Sequence, residues 1–446
     1  MSAVKSAFDA QDNNQDNNSD AYAPLSPVPM ERRAFAMRDA FALWFSLGIG
    51  LLVLQAGALL VPGLSLGMAL GAIVTGSLLG VLLLAAAGVI GADTGLSAMA
   101  NLRPALGVRG ASIAAILNAV QLAGWGAFEI IAMRDAADAL ALQNFGVSNA
   151  IVWTILFGAL ATGLAIMGPL SFVRKFLRDW GLLLLLAGAA WLTWRLLANY
   201  DLRALFAKAG SGEMSFAGGV DLVIAMPLSW LPLIADYTRF GKTPGAMFRG
   251  SFFGYLIANI WFFSLGAAYA LASGGGETML LSALAATGGG IALLLILIDE
   301  TDNAFADIFS GAVSTSTLTG GSVARLSVVY GVLCTGVALL VPLARYENFL
   351  LMIGSVFAPL FGVLLTDHFI IRRRQIDTSA IITPGGRYWF SGGWHLRGLL
   401  AWALGIAVYQ LVATYMPAWG ATLPAFALAG VFYAALMAPG REWKTV

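Results

Sequence analysis

Twelve apolar stretches of roughly twenty residues decide what this chain can fold into. They run at about 40–62, 67–92, 112–133, 150–168, 180–197, 217–236, 250–273, 282–311, 326–343, 347–368, 398–416 and 421–438. A helix that crosses the hydrocarbon core of a bilayer needs about 20 apolar residues. Lipid offers the backbone no hydrogen-bond partner, so such stretches must be helices. The expected fold class is an all-α polytopic membrane protein with twelve transmembrane helices, spans 1 to 12. Composition points the same way: 59% of residues are hydrophobic and 11% charged, against about 25% charged in soluble domains.

The basic residues set an orientation. Of 25 Lys and Arg residues, 20 fall on one side of the twelve spans, including Arg33, Arg103, Arg109, Arg239, Arg372 and Arg374. The other side holds Arg134, Arg195, Arg203, Lys208 and Arg345. By the positive-inside rule, the basic side and both termini are expected to be cytoplasmic. The expected location is the cytoplasmic (inner) membrane, with the lipid bilayer as the surrounding partner. Residues 1–30 are polar and Asn/Asp-rich, too poor in apolar surface to order themselves, and are expected to form a disordered tail. They lack a basic stretch followed by an apolar one, so insertion is expected to begin at span 1. Residues 31–440 form one expected transporter domain. A net charge of +1 gives no argument for a nucleic-acid partner.

Span 8 is not written as a passive anchor. Asp299, Glu300, Asp302, Asn303 and Asp307 interrupt the apolar run 291–313. Each carboxylate at bilayer depth costs about 2.5–3.5 kcal/mol on insertion scales. On a helix these five fall within an arc of roughly 160°, a polar face that must look into a bundle interior or a wet cavity. Three uses of that face are open: a cation site built from oxygen ligands, a proton relay, or direct contact with a substrate's N–H groups. Asp302 and Asn303 are assigned to a cation, and Asp307 to a substrate.

Span 3 places Gln121, Trp125 and Glu129 four residues apart, hence on one face. An aromatic plate beside an amide and a carboxylate suits a flat, polar ligand; helix–helix hydrogen bonding around a core Trp is the plainer alternative. Span 1 contains Gly48, Gly50 and Gly57, which serve either close helix packing or an unwound turn whose carbonyls face a ligand. In span 2, Gly67, Gly71, Gly76 and Gly80 have the spacing of packing positions. Span 6 holds Pro227 and Pro232 around Trp230, and two prolines so close imply an interrupted helix. Asp236, at its basic end, is either a gate latch or a solvated residue. Irregular helices five spans apart point to inverted repeats with a midplane site. Spans 1–5 (about 40–197) and 6–10 (about 217–368) would be the repeats, and helices 398–438 accessory.

An enzyme lacks its parts. The two histidines, His368 and His395, lie near the cytoplasmic boundary, no HExxH occurs, and Gly63-Leu-Ser65-Leu-Gly67 joins two spans without a strand–turn–helix context. The lone Cys334 in an apolar run reads as a small buried hydrophobe. No cofactor is expected. A channel would show a ring of repeated ligands, not this asymmetric mixture.

GADTGLSAMANLRPALGVRGA (91–111) leading into AGWGAFEI, LWFSLGIG in span 1, ADYTRF in span 6 and DIFSGAVS in span 8 resemble, in order, the nucleobase–cation symporter family one, the cytosine, purine and hydantoin permeases. FALWFSLGIG and AFADIFSGAVS look most like its hydroxymethylpyrimidine (thiamine-precursor) branch. The resemblance implies a LeuT-type five-plus-five inverted repeat with two added helices. It implies import of a pyrimidine-type heterocycle, such as hydroxymethylpyrimidine or cytosine, together with a monovalent cation. Trp125 then falls on the span 3 stacking residue and Glu129 on a hydrogen-bonding position. Ser46 and Ile49 fall where carbonyls hold Na⁺, and Asp302 and Asn303 on the span 8 ligands. Gly50 and Trp230 join the expected substrate site. Two departures stand out. The span 6 stacking position lands near Pro227, three residues before Trp230, and acids replace the family's neutral span 8 ligands, which leaves both Na⁺ and H⁺ open. Carriers of another small solute, such as an amino acid, and a non-transporting receptor are the alternatives.

Overall fold

The computed structural model describes residues 23–169, 177, 180–274, 290–342 and 345–438. Every one of the twelve expected segments falls on a helix or a helix pair. Among the described residues, eight helices are long and apolar enough to cross a membrane, and a ninth is the bent pair Met37–Ser46 and Leu51–Ala58, which make span 1. The other three expected spans fall short for different reasons. Span 6 is split into Phe216–Ser229 and Ile234–Thr238, span 12 is the 15-residue helix Thr422–Leu436, and span 8, Gly290–Thr319, carries the acids. Residues 282–289, the start of the stretch expected for span 8, lie outside the described residues, as do 1–22, 275–281 and 439–446. Span 3 is longer than expected, a helix from Arg103 to Phe145 bent at Gly107.

Two groups of helices meet around the centre. Span 7 (Pro244–Ser273) packs along both halves of span 1 and along span 2 (Leu66–Thr94), and span 2 in turn packs along span 6. Glycines allow this closeness. A Cβ at Gly254 would sit 3.0 Å from the Phe45 nitrogen, and one at Gly80 would press on Pro227 and Ile224. Gly76 does the same against Val220 and Val223, and a Cβ at Gly71 would lie 3.3 Å from the Phe216 ring, whereas Gly67 meets nothing within 4 Å; the packing role expected of span 2 thus holds for three of its four glycines. In the other group, span 8 lies along span 3, with spans 4 (Ala150–Met167) and 9 (Val323–Leu340) behind them. Spans 10 (Tyr346–Leu365), 11 (Leu396–Tyr415) and 12 pack on one another. Spans 3 and 10 bury 72% of their most apolar windows, but spans 4, 5 and 11 only 28%, so the latter three form an apolar perimeter suited to lipid.

One face gathers the loops rich in arginine. Residues 23–30, the end of the stretch expected to be disordered, pack here instead, followed by Arg33: Val28 is buried and its N–H donates to the Gly95 carbonyl at 2.9 Å. Arg374 grips Asp93 through two hydrogen bonds of 2.6 and 2.9 Å, and His368 Nε2 meets the same carboxylate at 2.9 Å. The end of span 10 is thereby tied to the end of span 2.

Candidate functional site

The breaks in spans 1 and 6 face the acids of span 8 at the centre of the molecule. Residues 47–50 are non-helical between the halves of span 1, which are bent by 58°. Glu300 stabilises the break. Its Oε2 accepts from the Leu51 N–H at 2.8 Å, and the Leu52 amide reaches the same carboxylate. An anion here caps the otherwise unsatisfied N–H groups at the start of the second half-helix and complements its dipole. Gly50 lets the carboxylate come this close: a Cβ there would lie 2.9 Å from Glu300 Oε2. Of the two roles open for the span 1 glycines, Gly50 takes the unwound turn and Gly48 the packing against Ala258 and Tyr255 of span 7.

Two further bonds join the break to span 8. Ser46 Oγ donates to Asp302 Oδ2 at 2.5 Å, and Asn303 Nδ2 donates to the Ile49 carbonyl at 3.1 Å. The four residues assigned to a cation are therefore brought together, two from each element. Asn303 Oδ1 and Asp302 Oδ1 are buried with no hydrogen-bond partner among the described residues. Orphaned oxygens beside an unwound carbonyl are the ligand chemistry of a hard monovalent cation. The side chain of Asp299 lies outside the described residues.

Beside this junction is a narrow cavity lined by Gly50, Trp125, Glu129, Trp230, Glu300, Asn303 and Asp307, with Met226 and Ser229 from span 6. Six residues expected at the site thus share one wall: Gly50, Trp125, Glu129, Trp230, Asp307 and Asn303. Trp230 fills the span 6 side despite its shift from the family's stacking position. It stands edge-on to Trp44 of span 1, ring centroids 6.1 Å apart. Trp125 is covered by Phe349 of span 10 at 5.4 Å, again edge-on. Cys334 is buried and packs against Gly126, one residue past Trp125.

Gln121 is not part of that wall. It donates to Asn118 Oδ1 at 2.7 Å, and Asn118 Nδ2 in turn reaches the Pro232 carbonyl at 3.2 Å and Ser314 Oγ at 2.8 Å. This amide pair supports the broken backbone of span 6. Asp236 is not solvated, and the basic side chain of Arg239, three residues on, acts on its charge. It is buried, and its Oδ1 accepts from the Ala98 N–H at 2.8 Å, which ties span 6 to the span 2–3 connection.

Four contributors were not assigned their roles from sequence. Glu300 was visible as one acid among several, but its capping role depends on the distant start of span 1b, residues 51–58. Asn118 was visible only as a buried amide. Phe349 and Met226 gave no signal, because apolar residues in a membrane span are the default.

The comparisons with known proteins cover nearly the whole chain. The family described as permeases for cytosine/purines, uracil, thiamine and allantoin matches residues 27–434. The allantoin permease of Bacillus subtilis (strain 168) is 25% identical, over 91% of this chain and 90% of that protein. The cytosine permease of Escherichia coli (strain K12) is 26% identical, over 90% and 91%. Among solved structures, Mhp1, a nucleobase-cation-symport-1 family transporter in a closed conformation with bromovinylhydantoin bound, superposes with a TM-score of 0.81 at 20% identity, covering 93% of this chain and 95% of that one. The fold is an all-helical LeuT-type transporter fold, and the relatives are permeases rather than enzymes. With its broken spans and its match from residue 27 to 434, the chain belongs to the cytosine, purine, uracil, thiamine and allantoin permeases, the nucleobase–cation symporter family one.

Proposed function

We propose that this protein is a symporter that imports a pyrimidine-type heterocycle, such as hydroxymethylpyrimidine or cytosine, together with Na⁺ or H⁺. It works from the cytoplasmic membrane with both termini inside, as one transporter domain over residues 31–440. The observation that carries this reading is the convergence of two sites. The Ser46–Asp302 and Ile49–Asn303 contacts adjoin a cavity with Trp125 and Trp230 in its wall.

The cation binds among the Ser46 and Ile49 carbonyls, Asp302 and Asn303. It offsets the charge of Asp302 and fixes the unwound turn at Gly50. A turn fixed in this way holds Glu300 and Asn303 in the cavity wall, so cation and heterocycle favour the same arrangement. The ring lies between Trp125 and Trp230, and stacking on an aromatic side chain contributes about 1–3 kcal/mol by analogy with nucleic-acid sites. Glu129 and Asp307 accept from the ring's N–H and amino groups. The cavity is too narrow for a ring until wall side chains move, so binding is coupled to rearrangement. Such binding shifts the equilibrium between outward and inward states only by its differential affinity for them. Release to the basic face requires the Asp236–Ala98 contact to open.

A proton is the second reading for the driving ion, favoured by one contact: Glu129 meets Glu300 side chain to side chain. Two carboxyl groups that touch are stable only with a proton or a cation between them.

The test is uptake of radiolabelled hydroxymethylpyrimidine and cytosine, in parallel, into proteoliposomes with and without a Na⁺ gradient. Accumulation of either solute driven by Na⁺ is expected. Accumulation driven only by a pH gradient assigns coupling to the acids. Uptake of neither solute under any gradient would refute the proposed substrate class.

A further inference from the structure

The cavity wall carries more negative groups than holding a flat ring requires. Glu129, Glu300 and Asp307 all line it, and none is more than 4% exposed. No lysine, arginine or histidine stands in the wall among the described residues. Asp307 Oδ2 finds no hydrogen-bond donor among the described residues, and the side chain that Glu129 meets is another acid. Glu300 already has a structural duty at the start of span 1b. Asp302, behind the wall, is answered by Ser46 and by the coupling cation. Asp307 and Glu129 are left facing the cavity with no positive group beside them in its wall among the described residues.

We propose that the site takes its heterocycle as a cation: a ring with a fixed positive charge, or an amino-substituted ring bound in its protonated, amidinium-like form. This rests on the reading of the cavity as the substrate site and adds the charge of the substrate to it. A buried carboxylate is stable as an anion only opposite a positive group with satisfied hydrogen bonds. An amidinium edge presents two parallel N–H donors, the geometry a carboxylate accepts best. Asp307 is the acceptor with a free oxygen for that edge, and Glu129 stands beside it as a second acceptor. The indole faces of Trp125 and Trp230 attract a flat cation through their quadrupoles. An imide ring such as uracil or hydantoin presents carbonyl oxygens on both sides of its N–H. Those oxygens would point at carboxylates inside a dry cavity, which repels them.

The experiment is equilibrium binding to the purified full-length protein, read by tryptophan fluorescence and confirmed by thermal shift. Two matched pairs of flat rings serve as probes: 1-methylnicotinamide with its uncharged parent nicotinamide, and 4-aminopyrimidine with uracil. In each pair the charged or protonatable member is expected to bind at least about tenfold more tightly, equivalent to about 1.4 kcal/mol. Asp307→Asn is expected to shrink that preference; Glu129→Gln, read with the same pairs, serves if the first variant does not fold. Equal or tighter binding of nicotinamide and uracil would overturn the charge selection and leave the symporter reading in place. Binding of none of the four rings would overturn both the charge selection and the assignment of the cavity to a heterocycle.

Discussion

At Gly50 a β-carbon would lie 2.9 Å from Glu300 Oε2 and 3.1 Å from Asn303 Nδ2, and the backbone φ is +155°. Holding another residue in such a conformation costs about 1–3 kcal/mol. Pushing Glu300 away would also free the Leu51 amide that it caps. Gly50→Ala is therefore expected to cut substrate uptake by at least about tenfold, since each 1.4 kcal/mol is a factor of ten, while the protein still folds and inserts. Uptake in reconstituted vesicles, normalised to folded protein, checks this; unchanged uptake would mean that the close approach has no functional weight. Residues of this kind divide sharply in how far the sequence reveals them. Trp125, Glu129, Asp302, Asn303 and Asp307 were legible because a polar or ionisable group in a membrane span needs a reason to be there. The duty of Glu300 was not legible, because it is set by the register between two helices far apart in sequence. Gln121 shared the right face of span 3 yet serves Asn118 instead, since a helical face does not specify the height at which a cavity begins.

The broken helices are the elements that distinguish this chain from a plain bundle. In span 6, Pro227 sits within the first half-helix and Pro232 in the break, so both backbone regularity and donors are lost there. Asn118 compensates by donating to the Pro232 carbonyl, and it also holds Ser314 of span 8. Asn118→Leu leaves that buried carbonyl without its donor, a loss of about 1–3 kcal/mol. The expected outcome is a lower melting temperature of the purified protein together with weaker substrate binding, because Trp230 is set by the same break. A variant that melts and binds like the wild type would remove Asn118 from the support of span 6. The two prolines announced the break, and the glycines announced one in span 1, but the partners that stabilise each break come from other spans and carry no local signature. Span 12 shows the same limit. Its 15 residues are anchored at one end by Asp221 of span 6, which accepts from Ala421 and Thr422 N–H at 3.0 and 2.8 Å.

Across the whole molecule, the contacts divide into a region around the central cavity and a closure on the basic face. The closure joins span 2 to span 10 through Asp93, His368 and Arg374, and span 6 to the span 2–3 connection through Asp236. Twelve segments in order, with breaks in the first and sixth, were legible from hydropathy and from glycine and proline positions. The pairing of spans 1, 2, 6 and 7 against 3, 4, 8 and 9 was not, since hydropathy says nothing about neighbours. The central claim is that the break in span 1 and the acids of span 8 form one site where cation and heterocycle bind in mutual dependence. Linkage requires that a cation which tightens the substrate is itself tightened by it, in equal measure. The most direct measurement is the affinity of a labelled aminopyrimidine for the purified protein, titrated against Na⁺ and repeated across pH, in the wild type and in Asp302→Asn. Substrate affinity that rises in the wild type with Na⁺ at fixed pH, or with proton concentration beyond what protonation of the substrate itself supplies, and that loses this ion-dependent part in Asp302→Asn, is the expected result. Wild-type affinity indifferent to both ions would contradict the coupling of the two sites.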